Sequence, residues 1–146
     1  MSRYFIIDTN VVVAGLLTAN PESPVARILD GMLGTRFPFV VSEALLAEYQ
    51  AVLARPKLRK LHGLSVEELD VLLTDIARHA IVINPVTAPD VTGALRAPDV
   101  GDQFLWDLLH ARADLVLVTG DKLLVHDADM APRVISPPSL VALLQH

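Results

Sequence analysis

The apolar residues of this chain fall into short unbroken runs separated by polar, cap-like positions. Tyr4-Phe5-Ile6-Ile7, Phe39-Val40-Val41, Ile81-Val82-Ile83, Leu115-Val116-Leu117-Val118 and Val134-Ile135 are the clearest. None alternates apolar with polar. Each is the length of a strand, and continuous apolar runs of that length mark strands covered on both faces, as in parallel sheets. The intervening segments carry helix signals. Val11 to Leu17 begins a helix. Ser23-Pro24 starts another, with Ser as cap and Pro at the first helical position, and Gly34 stops it. Ser42 caps a helix that runs to about Ala54, before Pro56. Ser65 and Glu68 form a capping box ahead of Leu69, Leu72, Leu73 and Ile76. Asn84 to Pro98 holds three prolines and reads as a loop. Asp99 or Gly101 opens a helix to about Ala113, and Pro138 to Leu144 forms the last one. Strands alternating with helices predict a three-layer α/β/α sandwich with a central, mostly parallel sheet.

Length changes this picture little. A chain of 146 residues fits one domain over residues 1–146 with one sizeable core. The absence of cysteine excludes a disulfide framework, thiolate zinc sites and a thiol nucleophile. Aromatic residues make up 5% of the chain, which argues against a base-stacking sheet platform. The formal net charge of −5 argues against a protein that coats nucleic acid through overall positive charge. It leaves room for an enzyme that gathers acidic groups around a cation and touches nucleic acid locally. The apolar N-terminus is interrupted by Asp8 and Asn10, and no uncharged apolar run approaches about 20 residues. No membrane association and a cytoplasmic location are therefore expected.

In parallel sheets, ligands sit beyond the carboxyl ends of the strands. Asp8 directly follows the first run and Asp121 follows the fourth, in Thr119-Gly120-Asp121. Each is also a good turn or cap residue on its own. Glu48 sits on the helix after Ser42, in a stripe read through Leu45 and Val52, at a place where packing favours an apolar side chain. Its alternative is a Glu at the edge of the stripe reaching water. Asp102 precedes Leu105 and Leu109 at a helix start, where the helix dipole also suits it. Asp99 reads equally as an N-cap, and Glu43 as a first-turn surface Glu. Carboxylates brought together at about 4 Å repel by roughly 4 kcal/mol per pair at an effective dielectric near 20. A hard divalent cation is the economical remedy, and all-oxygen donors suit Mg²⁺ or Mn²⁺. The chemistry such sites perform is activation of water against a phosphodiester.

These residues, in this order, resemble the PIN-domain family, in particular the VapC-like ribonuclease toxins of bacterial toxin–antitoxin modules. The resemblance rests on Ile6-Ile7-Asp8-Thr9-Asn10-Val11, Ser42 through Glu48, and Asp99-x-x-Asp102-x-Phe104. It continues through Ala113-Asp114 and Thr119-Gly120-Asp121-Lys122-x-Leu124 to Ile135-Ser136-Pro137. It implies one PIN-like domain in which Asp8, Glu48, Asp102 and Asp121 are catalytic metal ligands. Asn10, Asp99 and Thr119 would support them. It further implies Mg²⁺- or Mn²⁺-dependent endonucleolytic cleavage of single-stranded RNA, a cognate antitoxin and a homodimer. The chain departs from many relatives where Gly101, and not a second acid, precedes Asp102.

Arg55, Lys57, Arg59, Lys60 and His62 form the one dense basic stretch. It reads either as an RNA-phosphate contact or as a solvated connector. Trp106 reads as core, His79, His110 and His126 lack metal spacing, and Asp127 and Asp129 read as turn residues. Two rival functions stand beside the nuclease. One is a haloacid-dehalogenase-like phosphatase, which wants a second acid where Asn10 stands. The other is a catalytically silent PIN-like module that only binds a partner.

Overall fold

The structure, a computed structural model, describes residues 3–85, 103–121 and 133–145. Strand β1 (Tyr4–Ile7) leads into α1 (Thr9–Leu17) and α2 (Pro24–Leu33). Strand β2 (Val40–Val41) follows, then α3 (Glu43–Leu53), α4 (Pro56–His62) and α5 (Val66–His79). Beyond these come β3 (Ile81–Val82), α6 (Gln103–His110), β4 (Leu115–Val118), β5 (Val134–Ile135) and α7 (Pro137–Leu144). The start predicted for α6 at Asp99 or Gly101, most of the predicted loop to Pro98, and His126, Asp127 and Asp129 lie outside the described residues.

Every described strand pair is parallel. β1 pairs with β4 in the register Tyr4 to Leu115 through Ile7 to Val118, and β4 pairs with β5. β2 pairs with β3, and a parallel bridge between Phe5 and Phe39 joins the two sets. Across the sheet the order is therefore β3, β2, β1, β4, β5. The chain moves outward from β1 in one direction through β2 and β3, and in the other through β4 and β5. The order reverses between β1 and β4, and such a switch point opens a crevice at the carboxyl ends of the strands. Helix α7, which follows β5, packs against α2 of the other half.

The caps follow the sequence. Ser23, Ser42 and Ser136 each accept a backbone N–H from the first turn of α2, α3 and α7. Ser65 and Glu68 complete a reciprocal capping box at α5. The core gathers Ile6, Ile7, Val40, Val41 and all of β4 with Ile28, Met32, Leu45, Tyr49, Leu53, Ile76, Leu105, Trp106, Leu108 and Leu140. Trp106 is 1% exposed, as its core reading requires. At the far end of α6, the Arg133 guanidinium donates to the carbonyls of Leu109, Arg112 and Leu115, tying the helix terminus to the start of β4. No helix among the described residues is long and apolar enough to cross a membrane.

Three expectations change. Burial of every strand on both faces fails at β3, where Ile81 is 38% and Val82 52% exposed. β3 ends the strand order with β2 as its one described partner, so it lacks a neighbour on its outer side. The stripe of α3 runs through Leu45, Tyr49 and Leu53, at i, i+4 and i+8, and not through Val52. The basic stretch, for which no element was expected, forms helix α4, started by Pro56 and ended by Gly63 in the left-handed conformation.

The contact between α1 and α2 turns on Gly15. A Cβ there would lie 2.6 Å from the carbonyl oxygen of Val25 and 3.1 Å from Leu29 Cβ. Overpacking of this kind costs about 1–3 kcal/mol, against the roughly 1 kcal/mol by which Ala favours a helix interior over Gly. Gly15→Ala is therefore expected to lower the free energy of unfolding by about 1 kcal/mol. Urea denaturation measures it, and a stabilised mutant would show that the two helices do not approach this closely.

Candidate active site

The site is built from the ends of β1 and β4. Backbone pairing continues one step past the strands, where the Asp8 N–H donates to Val118 O at 2.9 Å. Asp8 and Thr119 are thereby held side by side at the switch point. The Thr119 hydroxyl donates to Asp8 Oδ2 at 2.7 Å, and the Thr9 N–H donates to Asp8 Oδ1 at 2.7 Å. Asp8 thus also caps α1, so the cap reading and the site reading describe one side chain. Asn10 Nδ2 lies 3.2 Å from Thr119 Oγ1 and 3.4 Å from Asp8 Oδ2, while its Oδ1 accepts the Gly120 N–H at 3.1 Å. The Asp121 N–H donates to Thr119 Oγ1 at 3.1 Å. The Thr-Gly-Asp turn after β4 is therefore pinned to the Asp-Thr-Asn turn after β1 by side chains of both.

Asp8 is 8% exposed and Thr119 fully buried. Burial pushes the Asp8 carboxyl above its ordinary pKa, because the charged form loses solvation. The hydrogen bonds from Thr119 and Thr9 oppose this, and the nearby carboxylates of Asp121 and Glu48 add to it. Asp8, Glu48 and Asp121 therefore share one electrostatic neighbourhood. Glu48 is half-buried beside the α3 stripe, so it avoids the full cost that a position inside the stripe would carry. Asp99 and Asp102 lie outside the described residues.

Tyr49 is a part of the site that the sequence did not single out. It is fully buried, and its hydroxyl donates to the Ile7 carbonyl at 2.5 Å. The last residue of β1, immediately before Asp8, is thus fixed from α3. Burial raises the Tyr49 phenol well above its ordinary pKa, and the Asp8 charge raises it further, so the hydroxyl stays a donor. Its one sequence signal was the i, i+4, i+8 spacing with Leu45 and Leu53.

The described donors are hard oxygen atoms. Among the described residues no group of three or more acidic or histidine side chains could hold a metal ion. Thr9 Oγ1, next to Asp8, is buried without a hydrogen-bond partner among the described residues. A small hard cation that keeps several waters and takes one or two carboxylates fits such a partial shell.

His62 is not part of the exposed basic face. Its Nδ1 accepts the Leu64 N–H at 3.0 Å and its Nε2 lies 2.9 Å from Leu53 O, which fits a neutral ring bridging the junctions of α3, α4 and α5. Arg55, Lys57, Arg59 and Lys60 are all exposed.

A parallel α/β sheet with acidic side chains gathered at its switch point defines an α/β domain with an acidic crevice. The sequence profile of the PIN domain matches residues 4–123, and the chain belongs to the PIN-domain family, a nuclease superfamily. β5 and α7 lie beyond the matched residues. No curated protein matches the chain in a sequence search.

The raised Asp8 pKa has a consequence with a definite sign. Between about pH 4 and the raised value, the folded state binds a proton that the unfolded state has released. Stability contributed by Asp8 therefore falls as pH rises through that window and levels off above it. Asp8→Asn lacks this dependence. In chelator, the stability of wild type minus that of Asp8→Asn is expected to decline from about pH 4 towards neutrality. Unfolding curves across that range test it. A difference that increases with pH would mean that the carboxylate is held by favourable partners and is not crowded.

Proposed function

We propose that this protein is a divalent-metal-dependent endoribonuclease that cleaves single-stranded RNA, the toxin of a toxin–antitoxin pair. One observation carries the proposal. A buried carboxylate, Asp8, is oriented by Thr119, Thr9 and Asn10 while two further carboxylates, Asp121 and Glu48, bear on it. Asp8, Glu48 and Asp121, with Asp102, would hold the ion, and Mg²⁺ or Mn²⁺ suits their all-oxygen chemistry. When bound, the ion supplies Lewis-acid activation of water and offsets charge on the phosphoryl oxygens. The protein's own contribution is positioning. Thr119 and the Thr9 N–H fix both oxygens of Asp8, and Asn10 locks the two turns together. Tyr49 sets the height of the β1 terminus. No side chain is required as a covalent nucleophile.

The phosphatase alternative needs a second acid at position 10. Asn10 instead gives both ends of its amide to Gly120, Thr119 and Asp8, a positioning role. The cognate antitoxin, the homodimer and the cytoplasmic location extend the proposal on the strength of the motif resemblance.

Helix α4 follows the helix that carries Glu48 and would extend the site towards substrate. Arg55 is the N-cap of α4, two residues beyond the end of α3 at Leu53. Arg55, Lys57, Arg59 and Lys60 would meet RNA phosphates, which position a strand without reading its sequence.

Purified protein is expected to cut single-stranded RNA with Mn²⁺ and not with chelator. Asp8→Asn, Glu48→Gln and Asp121→Asn should each abolish cleavage while the proteins stay folded. Thr119→Val, which removes the hydroxyl that supports Asp8 and accepts the Asp121 N–H, should reduce activity or metal affinity by about 10- to 100-fold. Expression of wild type, and not of Asp8→Asn, should arrest growth. Cleavage that persists in folded Asp8→Asn would sink the assignment, and metal binding without cleavage would point to the silent partner-binding module.

Changing Arg55, Lys57, Arg59 and Lys60 together to Ala is expected to weaken RNA binding at low salt. It should also flatten the plot of log affinity against log salt by up to about 2.8, at roughly 0.7 per phosphate contact on a single strand. Fluorescence anisotropy over a salt series reads this slope, and an unchanged slope would remove α4 from the interface.

A further inference from the structure

A second cleft opens on the same edge of the sheet, beside the carboxyl ends of β2 and β3. It measures about 310 Å³, and its walls include Ser42, Glu43, Asn84, Phe104 and Asp107. Neighbouring strands are about 5 Å apart, so it lies one to two strand spacings from Asp8. Nothing in the reading of the acidic site uses it.

Its polar groups exclude an anion. Two of the first-turn amides of α3 are already taken, since Ser42 Oγ accepts the Leu45 N–H and Asn84 Oδ1 accepts the Glu43 N–H at 2.8 Å. The carboxylates of Glu43 and Asp107 would repel a phosphate. Two hydrogen-bonding groups keep spare capacity. The Asn84 Nδ2 has no partner among the described residues. Asp107 Oδ1 accepts from Gln103 Nε2 at 3.0 Å, which leaves the remaining lone pairs of the carboxylate open. Phe104, half-buried, adds an aromatic wall.

An aromatic wall, a carboxylate acceptor and an amide donor match a flat ring that carries adjacent N–H donors and one carbonyl. Guanine is the base with that edge. Its N1–H and N2–H point the same way and can meet one carboxylate in a bidentate, charge-assisted pair, and its O6 accepts from an amide. Cytosine and adenine offer an exocyclic amine without the second parallel N–H. Uracil would turn a carbonyl towards a carboxylate. Unpaired bases in single strands are read in this way, by stacking and edge hydrogen bonds.

We propose that this cleft is a guanine subsite in which Asp107 selects the base and Phe104 stacks on it. Its place next to the scissile phosphodiester rests on the nuclease reading, while base binding itself needs neither metal nor cleavage. The two can therefore fail separately.

The test uses the full chain in chelator, titrated with guanosine, adenosine, cytidine and uridine and followed by ¹H–¹⁵N spectra. Guanosine is expected to bind about tenfold or more tightly than the others, within the range that a bidentate base contact supplies. Asp107→Asn keeps an oxygen for Gln103 and should fold, yet lose that preference. Phe104→Leu should weaken binding of every nucleoside, by about 5-fold or more. Cleavage mapping with Mn²⁺ should then find guanine at one fixed position beside the cut bond. Equal binding of all four nucleosides, no binding of guanosine, or a preference that survives Asp107→Asn would overturn the subsite. Guanosine selectivity that is lost in Asp107→Asn supports it even where no RNA is cut, and absence of cutting then counts against the nuclease reading alone.

Discussion

The hydrogen bond from the Thr119 hydroxyl to Asp8 Oδ2 joins residues 111 positions apart and holds the centre of this molecule. It exists because β1 and β4 are adjacent and parallel, in a register that ends both strands at the same level. Asp8 follows β1, caps α1 and accepts a hydrogen bond from the Thr119 hydroxyl, so strand end, helix start and site geometry are fixed by one carboxylate. Thr119 in turn accepts from Asp121 N and lies within reach of Asn10 Nδ2. A small closed network of this kind restrains each member more than a pairwise contact would.

The same carboxylate carries a tension. Burial and the charges of Glu48 and Asp121 disfavour its ionised form, while two hydrogen bonds support it. A fold optimised for stability alone would place neutral or apolar groups at this depth. Retaining acids there is the pattern of a site whose stability is lowered for chemistry, and a cation would relieve the crowding. Tyr49 shows how the scaffold resists the strain of that crowding. Its buried hydroxyl anchors the β1 terminus from α3, at the carbonyl of the residue before Asp8.

Two chemically distinct surfaces lie on the carboxyl edge of the sheet, and a third, cationic one is carried by Arg55 and α4. The acids lie at the switch point between β1 and β4. The exposed cations of Arg55 and α4 follow from the helix that carries Glu48. The cleft of Asn84, Phe104 and Asp107 opens beside β2 and β3, with donors and acceptors but no cation. Local clusters of cations can attract a polyanion to a chain of net negative charge, whereas an acidic cluster without a cation repels it. Trp106 does not take part, since it is buried in the core, and His62 is committed to backbone contacts.

Much of the architecture was legible before any coordinates. The strands announced themselves as short continuous apolar runs, and Ser23, Ser42 and Ser65 marked helix starts, because caps and burial patterns are local physics. Asp8 and Asp121 stood out because parallel sheets put ligands after strand ends. What local pattern could not settle was where elements meet. The exposure of β3 follows from its place at the end of the strand order. The basic stretch forms α4 because Pro56 and Gly63 bracket it, a local signal that the run of charges obscured. Glu48 looked as if it sat inside an apolar stripe, yet the stripe passes through Tyr49, whose hydroxyl needed a partner in another element. Asn10 and Thr119 became a network only when β1 and β4 were laid side by side. Sequence determined which segments would be strands, helices and acidic turns, since those depend on neighbours a few residues away. Tertiary structure alone decided which acids share a charge environment, because that is set by distances between residues far apart in the chain, such as Asp8 with Glu48 and Asp121.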